Sequence, residues 1–242
     1  MVLSRTIGQG ASGSLSDPVA FLEGRSAELS GQGGTGLQGG SDSFVFTSIK
    51  AIETLQAEIF TVEVLISKES LLQDSVSFGL MVRDNLDASS RHFSAMFSKD
   101  NGAHTVSRGN TYRIAGSSAD SITSPSDIKI RSGTDIWLRI DRSGNEFRAY
   151  IKMDDSDSDY KRIGSAINVM TNTAEIGMVL ASPQTQATVA FSSFSLSFGA
   201  STFQLVAQSG LRSITSCLQA SSYVSSLYTS SCHASSLYQT FR

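Results

Sequence analysis

"TDIWLRIDRSGNEFRAYIKM", residues 134–153, is two runs of period two around a turn. Ile136, Leu138 and Ile140 alternate with Trp137 and Arg139. Asp141 to Asn145 then supply turn residues, and Phe147, Ala149, Ile151 and Met153 resume the alternation. Side chains of a strand point to opposite faces in succession, so each run presents one apolar face and one polar face. Two such runs joined by a loop containing Gly and Asn predict a hairpin with one side buried.

The same pattern recurs on both sides. "SAELS" (26–30), "SFVFTS" (43–48), "AEIFTVEVLI" (57–66), "VSFGLMVR" (76–83) and "RHFSAMFS" (91–98) precede the hairpin. "YKRIGS" (160–165), "EIGMVLAS" (175–182) and "TVAFSSFSLS" (188–197) follow it. "PVAFL" (18–22) reads as a further strand, and helical periodicity is nearly absent from residues 17 to 197. So many half-apolar strands predict an all-β fold of two stacked antiparallel sheets. The organisation expected is a Gly/Ser-rich arm over 1–14, a β-sandwich over 15–198 and a Ser-rich tail over 199–242.

"GQGGTGLQGG" (31–40) has glycines at the spacing of a dinucleotide phosphate loop. That chemistry needs a helix N-terminus directly after the glycines. Here two more glycines and "SDSFVFTS" follow, which favour a strand, so the run reads as a connection between strands. The formal net charge of −3 gives no electrostatic reason to expect nucleic acid. No apolar run approaches the ~18 residues of a membrane helix, and the opening residues do not read as a signal peptide.

Together, "SDSFVF", "FGLMVRDNLDASSRHF", "WLRIDRSGNEFRAYIKMDDSDSDYKRIGS" and "EIGMVLASPQTQATVAFSSFSL" resemble the successive blocks of a concanavalin A-like lectin/glucanase-superfamily domain. The type is the bacterial "regulation of enolase" accessory module of secreted carbohydrate-active enzymes. The resemblance covers about residues 15 to 197. It implies a jelly-roll sandwich, carbohydrate as ligand and an extracellular setting. The family's usual Gly followed by Trp in the loop near Asp155 is absent, and Tyr160 stands nearby instead.

Two loops carry candidate chemistry. "RDNLDASSRH" gathers Arg83, Asp84, Asn85, Asp87, Arg91 and His92, groups that can hydrogen-bond sugar hydroxyls or else pair with one another and brace the loop. "DDSDSD" sets Asp155, Asp157 and Asp159 at the alternate spacing that begins a calcium loop. However, Tyr160 and Ala166 occupy the positions where that motif needs Gly and Glu. Calcium is thus the one cofactor considered, against a loop kept soluble by charge.

His92, His104 and His233 are too dispersed for a metal-ligand spacing, and Trp137, between Ile136 and Leu138, is expected between the sheets rather than as a sugar platform. Cys217 and Cys232 could close a small loop under oxidising conditions. No G-x-S-x-G elbow or H-E-x-x-H occurs. Glu58 and Glu63, an odd number apart, fall on opposite faces of their strand, unlike the paired carboxyls of a retaining glycosidase.

The expectation is therefore a non-catalytic carbohydrate-binding module. The alternative is a self-assembling subunit of a virion, filament or surface layer, its partners other copies of itself. The Gly-rich arm and the almost uncharged Ser/Tyr tail, which repeats Ser-Ser-Leu-Tyr at 225–228 and 235–238, would add strands to a neighbour's sheet edge.

Overall fold

The structure, a computed structural model, describes residues 2–34, 36–38, 41–50, 59–68, 76–99, 110–113, 120–122, 133–154, 158–171, 174–183 and 185–199. Asp155, Asp157, His104, His233, both cysteines and the tail beyond residue 199 lie outside them.

The quoted hairpin forms as its alternation dictates. β11 (Ile136–Ser143) pairs with β12 (Glu146–Met153) from Ile136 opposite Met153 to Ser143 opposite Glu146. The two-residue turn has positive φ at Gly144, 60°, and not at Asn145, as a II′ turn requires. Burial alternates without interruption on both strands.

The hairpin lies in a sheet of order β13-β12-β11-β6-β15-β3-β2, here called the rear sheet. Its other members are β2 (Ser12–Leu15), β3 (Ala27–Gln32), β6 (Ile59–Ile66), β13 (Lys161–Ile167) and β15 (Ala187–Phe198). The front sheet runs β1-β5-β14-β7-β8-β9-β10, with β4 also paired to β5. It comprises β1 (Val2–Ile7), β4 (Gly36–Gln38), β5 (Ser41–Lys50), β7 (Val76–Arg83), β8 (His92–Lys99), β9 (Asn110–Arg113), β10 (Asp120–Ile122) and β14 (Glu175–Ala181). Every pairing is antiparallel.

The fold is thus the two-sheet antiparallel β-sandwich. Val62, Val64, Phe78, Leu80, Phe93, Leu138, Phe147 and Met178 meet between the sheets. Phe93 of the front sheet stacks on Phe147 of the rear, ring centres 5.3 Å apart. The Gly-rich N-terminal stretch contributes a strand to each sheet, β1 along β5 and β2 along β3. Among the described residues no helix is long and apolar enough to cross a membrane.

"PVAFL" is a correction, for it forms a helix, α1 (Pro18–Leu22), not a strand. The Asp17 side chain accepts hydrogen bonds from the backbone N–H groups of Val19 and Ala20, both 2.9 Å, and Pro18 opens the first turn. One helical turn buries Ala20 and Phe21 together, and Phe21 packs on Phe191 and Phe194. The glycine run is a connection between strands: β3 ends at Gln32, Gly33 turns with φ 78°, and β4 follows with no helix. A Cβ on Gly33 would fall onto the Gly10 carbonyl, so close backbone approach explains that glycine.

Candidate functional site

Several hydrogen bonds tie down the connection between β7 and β8. Parity along β7 puts Val82 in the core, and Met81 and Arg83 on the outer side of the front sheet. There Met81, Phe44, Phe46, Met96 and Val179 form a second apolar cluster, on which Leu86 and Ala88 of the loop are packed. Arg83 is 0 % exposed. Its Nη2 donates to the Asp87 carbonyl at 2.6 Å and its Nε to that of Asn85 at 3.2 Å, while the guanidinium lies 5.1 Å from the centre of the Phe44 ring.

Asp84 ties the loop to the segment after β13. Its Oδ1 accepts from the Thr171 N–H at 2.8 Å and the Thr171 hydroxyl at 3.1 Å. Asn85 Oδ1 accepts from the Asp87 N–H at 2.8 Å, an Asx turn. Arg91 donates to the Val169 carbonyl at 2.6 Å and faces Asp84 across 3.8 Å. His92 is fully buried, and its carbonyl accepts from the Asn168 side chain at 2.9 Å.

The structure thus brings all six residues together in unequal roles. Arg83, Asp84 and His92 hold the loop from below. The side chains of Asn85 and Asp87 are exposed, and among the described residues the Asp87 carboxylate accepts no hydrogen bond. Arg142 repeats the Arg83 device from the rear sheet. It is 2 % exposed, donates to the carbonyls of Gly144, Met170 and Thr171 at 2.9, 3.0 and 3.2 Å, and lies 5.2 Å from the Phe147 ring centre. Two buried guanidiniums therefore fasten the loops at this end of the sandwich.

The outer face of the rear sheet is different in kind. Trp137 is a further correction: Ile136 and Leu138 enter the core, so Trp137 stands outside, half-buried, its indole N–H donated to Asp154 at 2.6 Å. Beside it runs an alternating stack. Lys152 Nζ lies 5.6 Å from the Trp137 ring centre and 5.4 Å from that of Tyr160, and the Arg139 guanidinium lies 5.4 Å from Tyr160 and 5.5 Å from Tyr150.

Carboxylates fix this stack from β6 and β11. Arg139 donates twice to Asp141, at 2.7 and 2.9 Å, and once to Glu63 at 3.4 Å, while Thr61 donates to Asp141 at 2.8 Å. Burial alone would lower the Arg139 pKa, but the Asp141 hydrogen bond and the charges of Asp141 and Glu63 hold it above its ordinary value. Burial, followed by the Glu63 carboxylate, pushes the Tyr160 phenol well above the usual 10.0.

That shift has a sign that can be measured. A phenol harder to ionise when folded contributes stability that is intact below about pH 10 and lost as pH rises further. Alkaline titration of phenolate absorbance should show one tyrosine ionising later in the native than in the urea-unfolded protein, and Tyr160→Phe should remove that late step. Identical native and unfolded titrations would refute the burial of this phenol.

Asp159 is exposed and accepts from the Ser158 hydroxyl at 3.2 Å, the other two aspartates of the calcium pattern lying outside the described residues. Among the described residues no group of three or more His, Cys, Asp or Glu side chains is arranged to hold a metal ion. Glu63, the described member of the glutamate pair, is engaged with Arg139.

No family model and no curated protein matches this chain. Solved structures do. A functionally unknown protein from Saccharomyces cerevisiae aligns with a TM-score of 0.53 at 15% identity, covering 78% of this chain and 97% of its own. A xylan β-1,4-xylosidase from Bacillus halodurans aligns with a TM-score of 0.52 at 14% identity over 70% of this chain, which spans only 32% of that enzyme. A carbohydrate-binding module from Bacillus subtilis aligns at 0.40 and 16% identity, covering 80% and 94%. At these identities the first two alignments speak to the fold, the same β-sandwich.

Proposed function

We propose that this chain is a non-catalytic carbohydrate-binding β-sandwich module that contacts its ligand through the loop joining β7 and β8. The observation that carries this is the division of labour within the loop. Arg83 and Asp84 are engaged in holding its backbone, whereas Asn85 and Asp87 are exposed on that fixed backbone and Arg91 lies at its edge. A loop already ordered before binding avoids much of the conformational entropy that ligand contact would otherwise cost. An amide, a carboxylate and a guanidinium supply the donors and acceptors that vicinal sugar hydroxyls match. A sandwich of this shape also forms part of a xylosidase, a sugar-processing protein.

The test is affinity electrophoresis or pull-down over a panel of insoluble and soluble polysaccharides. Retention on at least one glycan is expected, and Asp87→Ala with Arg91→Gln should weaken it at least about tenfold. Asp87 is exposed, so Asp87→Ala alone should melt close to the parent and still bind more weakly, whereas Arg91 is half-buried and holds the Val169 carbonyl, so the double variant should melt somewhat lower. Absence of retention on every glycan, with and without added calcium, would overturn the proposal.

A further inference from the structure

We infer that the outer face of the rear sheet is a second ligand site, built for a neutral pyranose ring and centred on Trp137, Lys152 and Tyr160. The inference rests on the carbohydrate-binding reading and adds a place and a ligand class to it. Trp137 and Lys152 lie at the end of β11 and β12 remote from the 143–146 turn. The β7–β8 loop is at the turn end, where Phe93, next to His92, stacks on Phe147. One sugar therefore cannot account for both places.

Three observations define the site. First, Trp137, Tyr150 and Tyr160 are each only half-buried, and all stand on the same side of the sheet. Half-buried rings leave apolar area, beyond the faces that Lys152 and Arg139 cover, for the C–H groups of a pyranose. Second, those rings cannot collapse or swing away. Arg139 is forked onto Asp141 and held to Glu63, Trp137 is tied to Asp154, and the two cations separate the three rings. Third, among the described residues Lys152 Nζ is held by two ring faces and meets no hydrogen-bond acceptor. An ammonium has three donors to satisfy, and hydroxyl and ring oxygens of a sugar stacked beside it would satisfy them.

Charge selects the neutral class. The Arg139 fork is closed by two carboxylates, and Asp154 stands beside Trp137. The cations of this face, Lys152, Arg139 and the Arg162 opposite Tyr150, stand beside the carboxylates Glu63, Asp141, Asp154 and Glu146, so an acidic sugar gains no net attraction that a neutral one lacks.

Trp137 is the only tryptophan of the 242-residue chain, so its emission reports on this face without labelling. Fluorescence titration of the full chain with cello-, xylo-, laminari- and galacto-oligosaccharides, and with oligogalacturonate as the acidic arm, decides the matter. A saturable change with at least one neutral oligosaccharide is expected, weakened at least about tenfold in Lys152→Met, which keeps the stem and removes the donors. Glycans that are retained without any change in Trp137 emission would overturn this second site and leave the loop reading standing. Oligogalacturonate titrating as tightly as the neutral sugars would overturn the assigned class. A chain that retains no glycan by any method removes both proposals together.

Discussion

Replacing Arg142 by methionine is expected to cost about 2–4 kcal/mol of stability, and by alanine about 3–5 kcal/mol. The guanidinium is buried and donates to three backbone carbonyls, those of Gly144, Met170 and Thr171. It fastens the β11–β12 turn to the segment that follows β13. Methionine retains most of the packing on Phe147 but leaves those carbonyls without their donor. Alanine adds a cavity beneath the same loop. Urea denaturation monitored by circular dichroism measures the loss.

Because Thr171 also donates two hydrogen bonds to Asp84, slackening residues 168–171 should loosen the β7–β8 loop, and glycan retention by Arg142→Met should weaken at temperatures where the variant is still folded. A variant as stable as the parent would mean that the three carbonyl contacts do not hold the turn.

Most of the architecture was legible because the long strands repeat with a period of two and bury one face. In β6, Phe60, Val62, Val64 and Ile66 all point inward, and a slip of one residue would expose all four. Short strands gave no such signal. β2 is "SGSL", β9 "NTYR" and β10 "DSI", and each is ordered by the partner strand rather than by its own residues. "PVAFL" was decided by its flanks: Asp17 and Pro18 form a helix-start signal that outweighs five residues of otherwise strand-compatible composition.

The loop of residues 83–92 announced itself by composition, yet the burial of Arg83 follows from its parity with Met81, on a face that the loop then covers. Parity also placed Trp137 outside, since its two neighbours are core, and counting apolar neighbours pointed the wrong way. The stack beside it was beyond reach of the sequence. Arg139, Lys152 and Tyr160 come from three separate segments and meet only through the register of β11 on β12 and the course of the chain into β13.

The front sheet contains a second position with little tolerance. Gly177 is in the middle of β14, flanked by Ser48 of β5 and Met81 of β7. A Cβ there would fall onto the Thr47 carbonyl and within 2.7 Å of the Ser48 Cα, both backbone atoms of the neighbouring strand. A flexible side chain could turn aside, but a backbone in the middle of a sheet cannot. It must part from β14, and the hydrogen bonds between β5 and β14 go with it. Gly177→Ala, the addition of one methyl group, should therefore cost about 3–4 kcal/mol, far more than a strand's ordinary preference for alanine over glycine would return. The loss should be visible as a lower denaturation midpoint and as faster hydrogen exchange confined first to β5 and β14. Gly144→Ala is the contrast: a Cβ at Gly144 meets nothing within 4 Å, so only its φ of 60° opposes the change, at about 1–2 kcal/mol. If Gly177→Ala proves no worse than Gly144→Ala, β5 and β14 do not approach as closely as the sheet described here requires.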